Sequence, residues 1–196
     1  MLDLLREGAV LTMTLNRPEV RNALNEELIA RLQEALDAVD SGIRTVVVTG
    51  SGTAFCAGGD LEWMRRAATW SHDENVADAL RLAKLYQTIA ELPIPVVARV
   101  HGPAFGGGCG LVACCDIAIA SESAKFSFSE VKLGMVPATI STHVVPKIGR
   151  SNARALFLTG EVFDAERAFR IGLVHHVCPN IDTLDAAVEQ IVSNIL

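Results

Sequence analysis

Two short turns carry the residue types best suited to holding a developing negative charge. Gly58-Gly59 follows the apolar run TVVVTG, and Gly106-Gly107-Gly108 follows PVVARV; a helical pattern comes after each turn. Helix N-termini present unpaired N–H groups and positive potential. Glycine lets another molecule approach the backbone closely. Two such turns facing one crevice would give two N–H donors to a single oxygen, the arrangement of an oxyanion hole. The same glycines would also permit tight strand–helix packing, and for one glycine pair alone that is the simpler reading.

Other chemistries fit these residues less well. GxxxxGK[ST] is absent, GGGCG does not match GxGxxG, and there is no GxSxG. The five cysteines (Cys56, Cys109, Cys114, Cys115, Cys178) are odd in number and have no CxxC spacing. No His–His or His–Glu pair has zinc spacing, so no metal site is expected. The cysteines read as reduced, buried thiols of a cytoplasmic protein. Cys109, beside the glycines, is a candidate nucleophile, but no histidine stands near it in sequence to activate it. His101 precedes a glycine turn and reads as structural, while His143, His175 and His176 lack partners at metal spacing.

A scaffold must bring the two turns together. Ala9–Pro18 alternates and reads as a strand ending in a turn. Asn25–Asp40 places Leu28, Leu32, Leu36 and Val39 on one helical face, with Asn25 as cap. Ile43–Gly50 and Pro93–Gly102 read as strands buried on both faces. Residues 73–91 form a long helix, GGGCGLVACC a helix entered through glycine, and DIAIAS a strand, at whose start Asp116 caps or pairs. From residue 139 helical patterns dominate, interrupted by the short strand LVHHVC. Strands alternating with helices predict an α/β fold with helical crossovers. No short repeat or linker divides the chain, so one domain is the economical reading.

Composition narrows the classes further. The chain has 196 residues, 50% hydrophobic and 20% charged, enough apolar material for a sizeable core. A net charge of −6 without a Lys/Arg cluster argues against nucleic acid or an anionic membrane as partner. No apolar run is long enough to span a bilayer, and the charges within MLDLLREGAV do not read as a signal peptide.

Several segments together resemble the enoyl-CoA hydratase/isomerase, or crotonase, superfamily. They are AFCAGGDL (54–61), HGPAFGGGCGLVACCDIAIAS (101–121) and AKFSFSEVKLGMVP (124–137), with LNRPEVRNAL (15–24) and LTGEVFDAERAFRIGLVHHV (158–177) in family order. The resemblance implies a spiral core of repeated ββα units over residues 1–138 and a helical module over 139–196, part of the same domain. Family members continue past AAVEQIVSNIL into further helices, so that module is expected to be incomplete. The resemblance also implies acyl-CoA thioester substrates, no cofactor beyond the CoA of the substrate itself, and a homotrimer or dimer of trimers.

Carried over by the same resemblance, the oxyanion donors are the N–H groups of Gly59 and Gly107. Ala57 would offer its carbonyl to the adenine of CoA, and Arg21 would lie near the CoA phosphates, although it also reads as a solvated loop arginine. Gly58, Asp60 and Leu61 complete the substrate-binding loop, with Asp60 anchoring it or capping the next helix. Trp63 and Met64 would line the acyl pocket, and are also ordinary core candidates. Family hydratases usually hold one water between two glutamates. The second is present as Glu130; the first position is Gly110. A carboxylate in an apolar pocket can have its pKa raised and serve as both acid and base. The detailed wording is most similar to the bacterial branch acting on 3-methylglutaconyl-CoA and related branched thioesters. The resemblance therefore implies hydration of an enoyl-CoA. The alternative is a Δ3–Δ2 enoyl-CoA isomerase using Glu130 alone, and a non-catalytic acyl-CoA-binding protein is a third reading.

Overall fold

The valine-rich runs lie in the middle of the larger of two sheets. The structure, a computed structural model, describes all residues from Met1 to Leu196. Strand β1 (Leu2–Glu7) forms an antiparallel hairpin with β2 (Val10–Leu15). A loop and helix α1 (Glu26–Asp37) lead to β3 (Thr45–Gly50), and helices α2 (Leu61–Ala67) and α3 (His72–Ala90) lead to β4 (Val96–Val100). Then come the two-residue strand β5 (Ala104–Phe105), helix α4 (Gly107–Cys114), β6 (Ile117–Ser121) and β7 (Lys125–Ser127). A 3-10 turn at Ser129–Leu133 precedes α5 (Ala138–Ile148) and α6 (Arg150–Thr159). The chain closes with β8 (Phe163–Asp164), α7 (Ala165–Arg170), β9 (His176–Cys178) and α8 (Ile181–Ile195).

The large sheet runs β1-β2-β3-β4-β6-β9 and the small one β5-β7-β8. Apart from the β1–β2 hairpin, every pairing in the large sheet is parallel. Single bridges extend the small sheet: Cys56 pairs with Ala104, and Leu24 pairs with Gly59. The chain therefore repeats one circuit: a strand of the large sheet, a shorter segment of the small sheet, then a helix. The circuit β2–Leu24–α1 is followed by β3–Cys56–α2/α3, β4–β5–α4 and β6–β7–α5. This is the expected ββα spiral. In the segment after residue 139 the strand expected at LVHHVC is β9, at one edge of the large sheet, and a further short strand, β8, forms an edge of the small sheet.

Period-2 alternation divides the burial. Val46, Val48, Val96 and Ala98 face the main core with Leu28, Leu32, Leu85 and Phe126. Val47, Val97 and Ile119 face the other side, where Leu184 and Val188 of α8 cover them. Each fully buried Val or Leu contributes about 1.5–3 kcal/mol, which holds the strand ends rigid where the glycine turns emerge. Helix starts are locally specified. Asn25 accepts from the N–H of Leu28, and Ser71 and Glu74 form a capping box on α3. Two assigned elements shorten at their ends, as expected for frayed termini: α1 stops at Asp37, and β4 begins at Val96 after Pro95.

Candidate active site

The two glycine turns meet. Cys56 N–H donates to the Pro103 carbonyl (3.1 Å) and Phe105 N–H donates back to the Cys56 carbonyl (2.9 Å). This exchange places Gly58 against Gly107. A Cβ built on Gly58 would lie 2.8 Å from the Phe105 carbonyl oxygen and 3.4 Å from Gly107 N. Gly58 also has φ +92, in the left-handed region. On its other side the first turn is stapled to the loop before α1. Leu24 N–H donates to the Gly58 carbonyl (2.7 Å), and Asp60 N–H donates to the Leu24 carbonyl (2.8 Å). These bonds use the backbone on either side of Gly59 and leave the Gly59 N–H without a protein acceptor. Gly107 is the first residue of α4, so its N–H is also unpaired.

Each glycine of the triplet has its own reason. Gly106 has φ +48, and a Cβ there would stand 3.2 Å from Oε1 of Glu130. A Cβ on Gly107 would stand 2.8 Å from the Tyr86 hydroxyl, which donates to the Gly107 carbonyl (2.9 Å). Gly108 lies flat against the Cys56 backbone and serves packing.

One cavity of about 810 Å³ collects these groups. Its wall includes Gly59, Gly107 and Glu130, and also Arg21, Ala57, Gly58, Asp60, Leu61, Trp63 and Met64. All the candidate site residues read from the sequence therefore converge, except Gly110. That residue lies buried one turn into α4, outside the cavity wall, and as glycine it offers no side chain to the chemistry. The physical reason is space. A Cβ at Gly110 would contact Cγ2 of Ile140 and lie 3.0 Å from Tyr86 Cζ. Ile140 comes from α5 and Tyr86 from α3, so two distant helices close the place where a side chain at 110 would point.

Glu130 shares the cavity wall with two other acids, Asp60 and Glu62. Burial raises its pKa above the usual carboxylate range, and its Oε2 is buried with no hydrogen-bond partner. An orphaned carboxyl oxygen of this kind costs stability. Asp60 is opposite in character. Burial acts to raise its pKa, but Arg17 and the N–H groups of Trp63 and Glu62 outweigh it and hold the pKa below the usual value. Its Oδ1 caps α2, and its Oδ2 pairs with Arg17 (2.9 Å), so it anchors the loop. Arg17 also donates to the Ala23 carbonyl, and Asn22 accepts from Arg17 N–H, so the loop carrying Arg21 is held from within. Arg21 itself is exposed at φ 53, and its carbonyl accepts from Ala57 N–H (3.0 Å).

The cysteines do not join this chemistry. All five are unpaired and buried. Burial raises the Cys109 thiol far above its usual range, and that thiol donates to the Ala104 carbonyl (2.9 Å). His175 Nδ1 accepts from Ala118 N–H, and Asp116 accepts from Val96 N–H. Residues that sequence reasoning did not single out also line the wall, among them apolar Leu82, Leu133, Met135, Val136 and Ile140 and polar Ser129 and Arg65. Ser129, Leu133, Met135 and Val136 belong to the segment around Glu130, whereas Arg65, Leu82 and Ile140 come from α2, α3 and α5, whose packing sequence does not reveal. Two unpaired N–H donors, one carboxyl of raised pKa and an apolar wall can together stabilise an anion and move a proton beside it.

Comparison with known proteins identifies the family. The family model described as enoyl-CoA hydratase/isomerase matches residues 6–195. The chain is 35% identical over 189 residues to the 2,3-dehydroadipyl-CoA hydratase of Escherichia coli, covering 94% of this chain and 71% of that protein. It is 37% identical over 176 residues to the crotonyl-CoA hydratase of Syntrophomonas wolfei, covering 88% of this chain and 66% of that protein. The crystal structure of an enoyl-CoA hydratase from Mycobacterium smegmatis matches with a TM-score of 0.94 at 40% identity, over 99% of this chain and 76% of that one.

Proposed function

The chain belongs to the enoyl-CoA hydratase/isomerase family, and from that premise we propose that it adds water across the 2,3 double bond of an enoyl-CoA. The single observation that carries this reading is the meeting of Gly59, Gly107 and Glu130 on one cavity wall. The thioester carbonyl accepts from the N–H groups of Gly59 and Gly107. Charge that develops on that oxygen as the enolate forms meets donors already aimed at it, each worth roughly 3–4 kcal/mol. Glu130, as carboxylate, takes a proton from water as its oxygen attacks C3, and then returns that proton to C2. The raised pKa suits a group that must do both.

The acyl group proposed is branched and carries a distal carboxylate, as in 3-methylglutaconyl-CoA. The segments GGGCGLVACCDIAIAS and SEVKLGMVPATIS support it, and so does Arg65, a cavity-lining guanidinium with no ion-pair partner. At the other end, Arg21 and the Ala57 carbonyl would meet the CoA moiety; both residues line the same cavity, which supports that reading. Isomerisation is not favoured, because the Escherichia coli and Syntrophomonas wolfei relatives are named as hydratases.

A thioester screen tests both levels. Wild type should remove the conjugated absorbance of an enoyl-CoA and yield the 3-hydroxyacyl product. Appearance of that absorbance from a 3-enoyl-CoA, without hydration, would overturn the assignment. Arg65→Ala should raise KM for 3-methylglutaconyl-CoA while leaving crotonyl-CoA unaffected; equal effects on both would remove the carboxylate contact.

A further inference from the structure

A hydratase with one glutamate has an unfilled requirement. The attacking water gives one proton to the base, and its other hydrogen needs an acceptor that fixes where the lone pair points. Position 110 cannot supply one, since it has no side chain and Tyr86 and Ile140 fill the space. The oxygens of Asp60 are already used by the α2 cap and Arg17. The Tyr86 hydroxyl is fully buried and donates to the Gly107 carbonyl.

We propose that the Ser129 hydroxyl is the second group that holds the attacking water, opposite the carboxylate of Glu130. This rests on the hydratase reading given above. Ser129 lines the same cavity, is partly exposed, and its hydroxyl has no protein partner. The two oxygens crowd one point: a Cβ on Gly106 would lie 3.2 Å from Glu130 Oε1 and 3.6 Å from Ser129 Oγ. Gly106 has no Cβ, so no side chain at 106 screens the two oxygens from the cavity space beside them. A water there donates one hydrogen to Glu130 and the other to Ser129 Oγ, and its lone pair is left for C3.

The step balances without any co-reactant. The water oxygen bonds to C3 while the C2–C3 π pair moves toward C1 and the carbonyl pair moves onto the thioester oxygen. One water proton passes to Glu130. The enolate pair then returns to C2, which takes that proton, and the carboxylate is restored. Ser129 keeps its own proton throughout and acts only as an acceptor.

Two reactions of one site separate this role from a structural one. Hydration of crotonyl-CoA needs the water. Exchange of the C2 protons of butyryl-CoA in D2O needs Glu130 and the two N–H donors but no attacking water. Ser129→Ala should lower kcat for hydration by about tenfold or more, with KM within about twofold, and leave the exchange rate within about twofold. Ser129→Thr, which keeps the hydroxyl, should recover most of the hydration. Hydration by Ser129→Ala within about twofold of wild type would overturn the proposal, as would equal loss of both reactions. Exchange by wild type without hydration of any enoyl thioester would instead overturn the hydratase reading, and the proposal with it.

Discussion

Positions 110 and 130 both approach the Gly106–Gly107 backbone, and they are built in opposite ways. Around 110 the surroundings are closed: the Tyr86 ring and Ile140 stand where a side chain would go. Around 130 they are open: Gly106 withdraws its side chain, and Ser129 and a cavity of about 810 Å³ lie alongside. A carboxyl at 130 is stripped of partners yet reachable, which is how its pKa comes to be raised. The difference teaches that glycine at 110 is demanded by the packing around it. Tyr86 and Ile140, from two other helices, fill the space a side chain at 110 would need, so of these two positions only 130 offers a carboxyl to the cavity.

The comparison is tested hardest at position 130. Glu130→Gln keeps the shape and removes the proton carrier, so turnover should fall by at least ~10²-fold while thioester binding persists. Steady-state kinetics with a parallel binding titration would measure both. Near-full activity would show that the carboxyl on the open side is idle.

Position 110 should respond in stability. Gly110→Ala places a Cβ against Ile140 and 3.0 Å from Tyr86 Cζ, and overpacking of that kind costs about 1–3 kcal/mol. Gly110→Glu adds a buried charge and should cost more, without any gain in hydration. Denaturant unfolding would report it. A Glu variant that folds normally and hydrates faster would mean the closed side opens readily.

A smaller effect sharpens the electrostatic half of the contrast. Hydration needs Glu130 deprotonated, and burial raises its pKa. As pH falls through that raised value, kcat/KM should decline, with a midpoint above the ordinary glutamate value of about 4.3. The same shift means that the folded state holds this proton more tightly than the unfolded chain does. The residue's contribution to stability is therefore fully present below the unfolded value and is lost as pH rises through the folded one. A pH–rate profile with its acid limb at or below the ordinary value would place the carboxyl in water.

How much of this was legible in the sequence follows from the range of each signal. TVVVTG and PVVARV announce buried strands because apolar runs of that length are self-evident, and Asn25 and Asp60 announce helix starts by local chemistry. The glycine turns and Glu130 stand out because their residue types are unusual beside apolar runs. The small sheet was not legible: strands of two or three residues, and single bridges such as Leu24 with Gly59, have no period to detect. Strand β1 was missed because five of its six residues are exposed, so it lacks an apolar face. The closure over Gly110 was invisible for a different reason. Tyr86 and Ile140 look like ordinary core positions of their own helices, and only tertiary packing brings them to α4.

Tyr86 gives the smallest and most diagnostic effect. Its hydroxyl donates to the Gly107 carbonyl, one residue from the peptide that carries the proposed donor. Tyr86→Phe keeps the ring that fills the space at 110 and removes only that bond, whose net worth is about 0.5–1.5 kcal/mol. If the phenol is a plug with a tether, Tm should fall by about 2–4 °C per kcal/mol lost. The loss in kcat should then stay within about tenfold, with KM unchanged. A loss approaching that of Glu130→Gln would require the phenol to touch the reacting atoms. In that case the closed side of the site would hold a catalytic group after all, and the contrast between positions 110 and 130 would collapse.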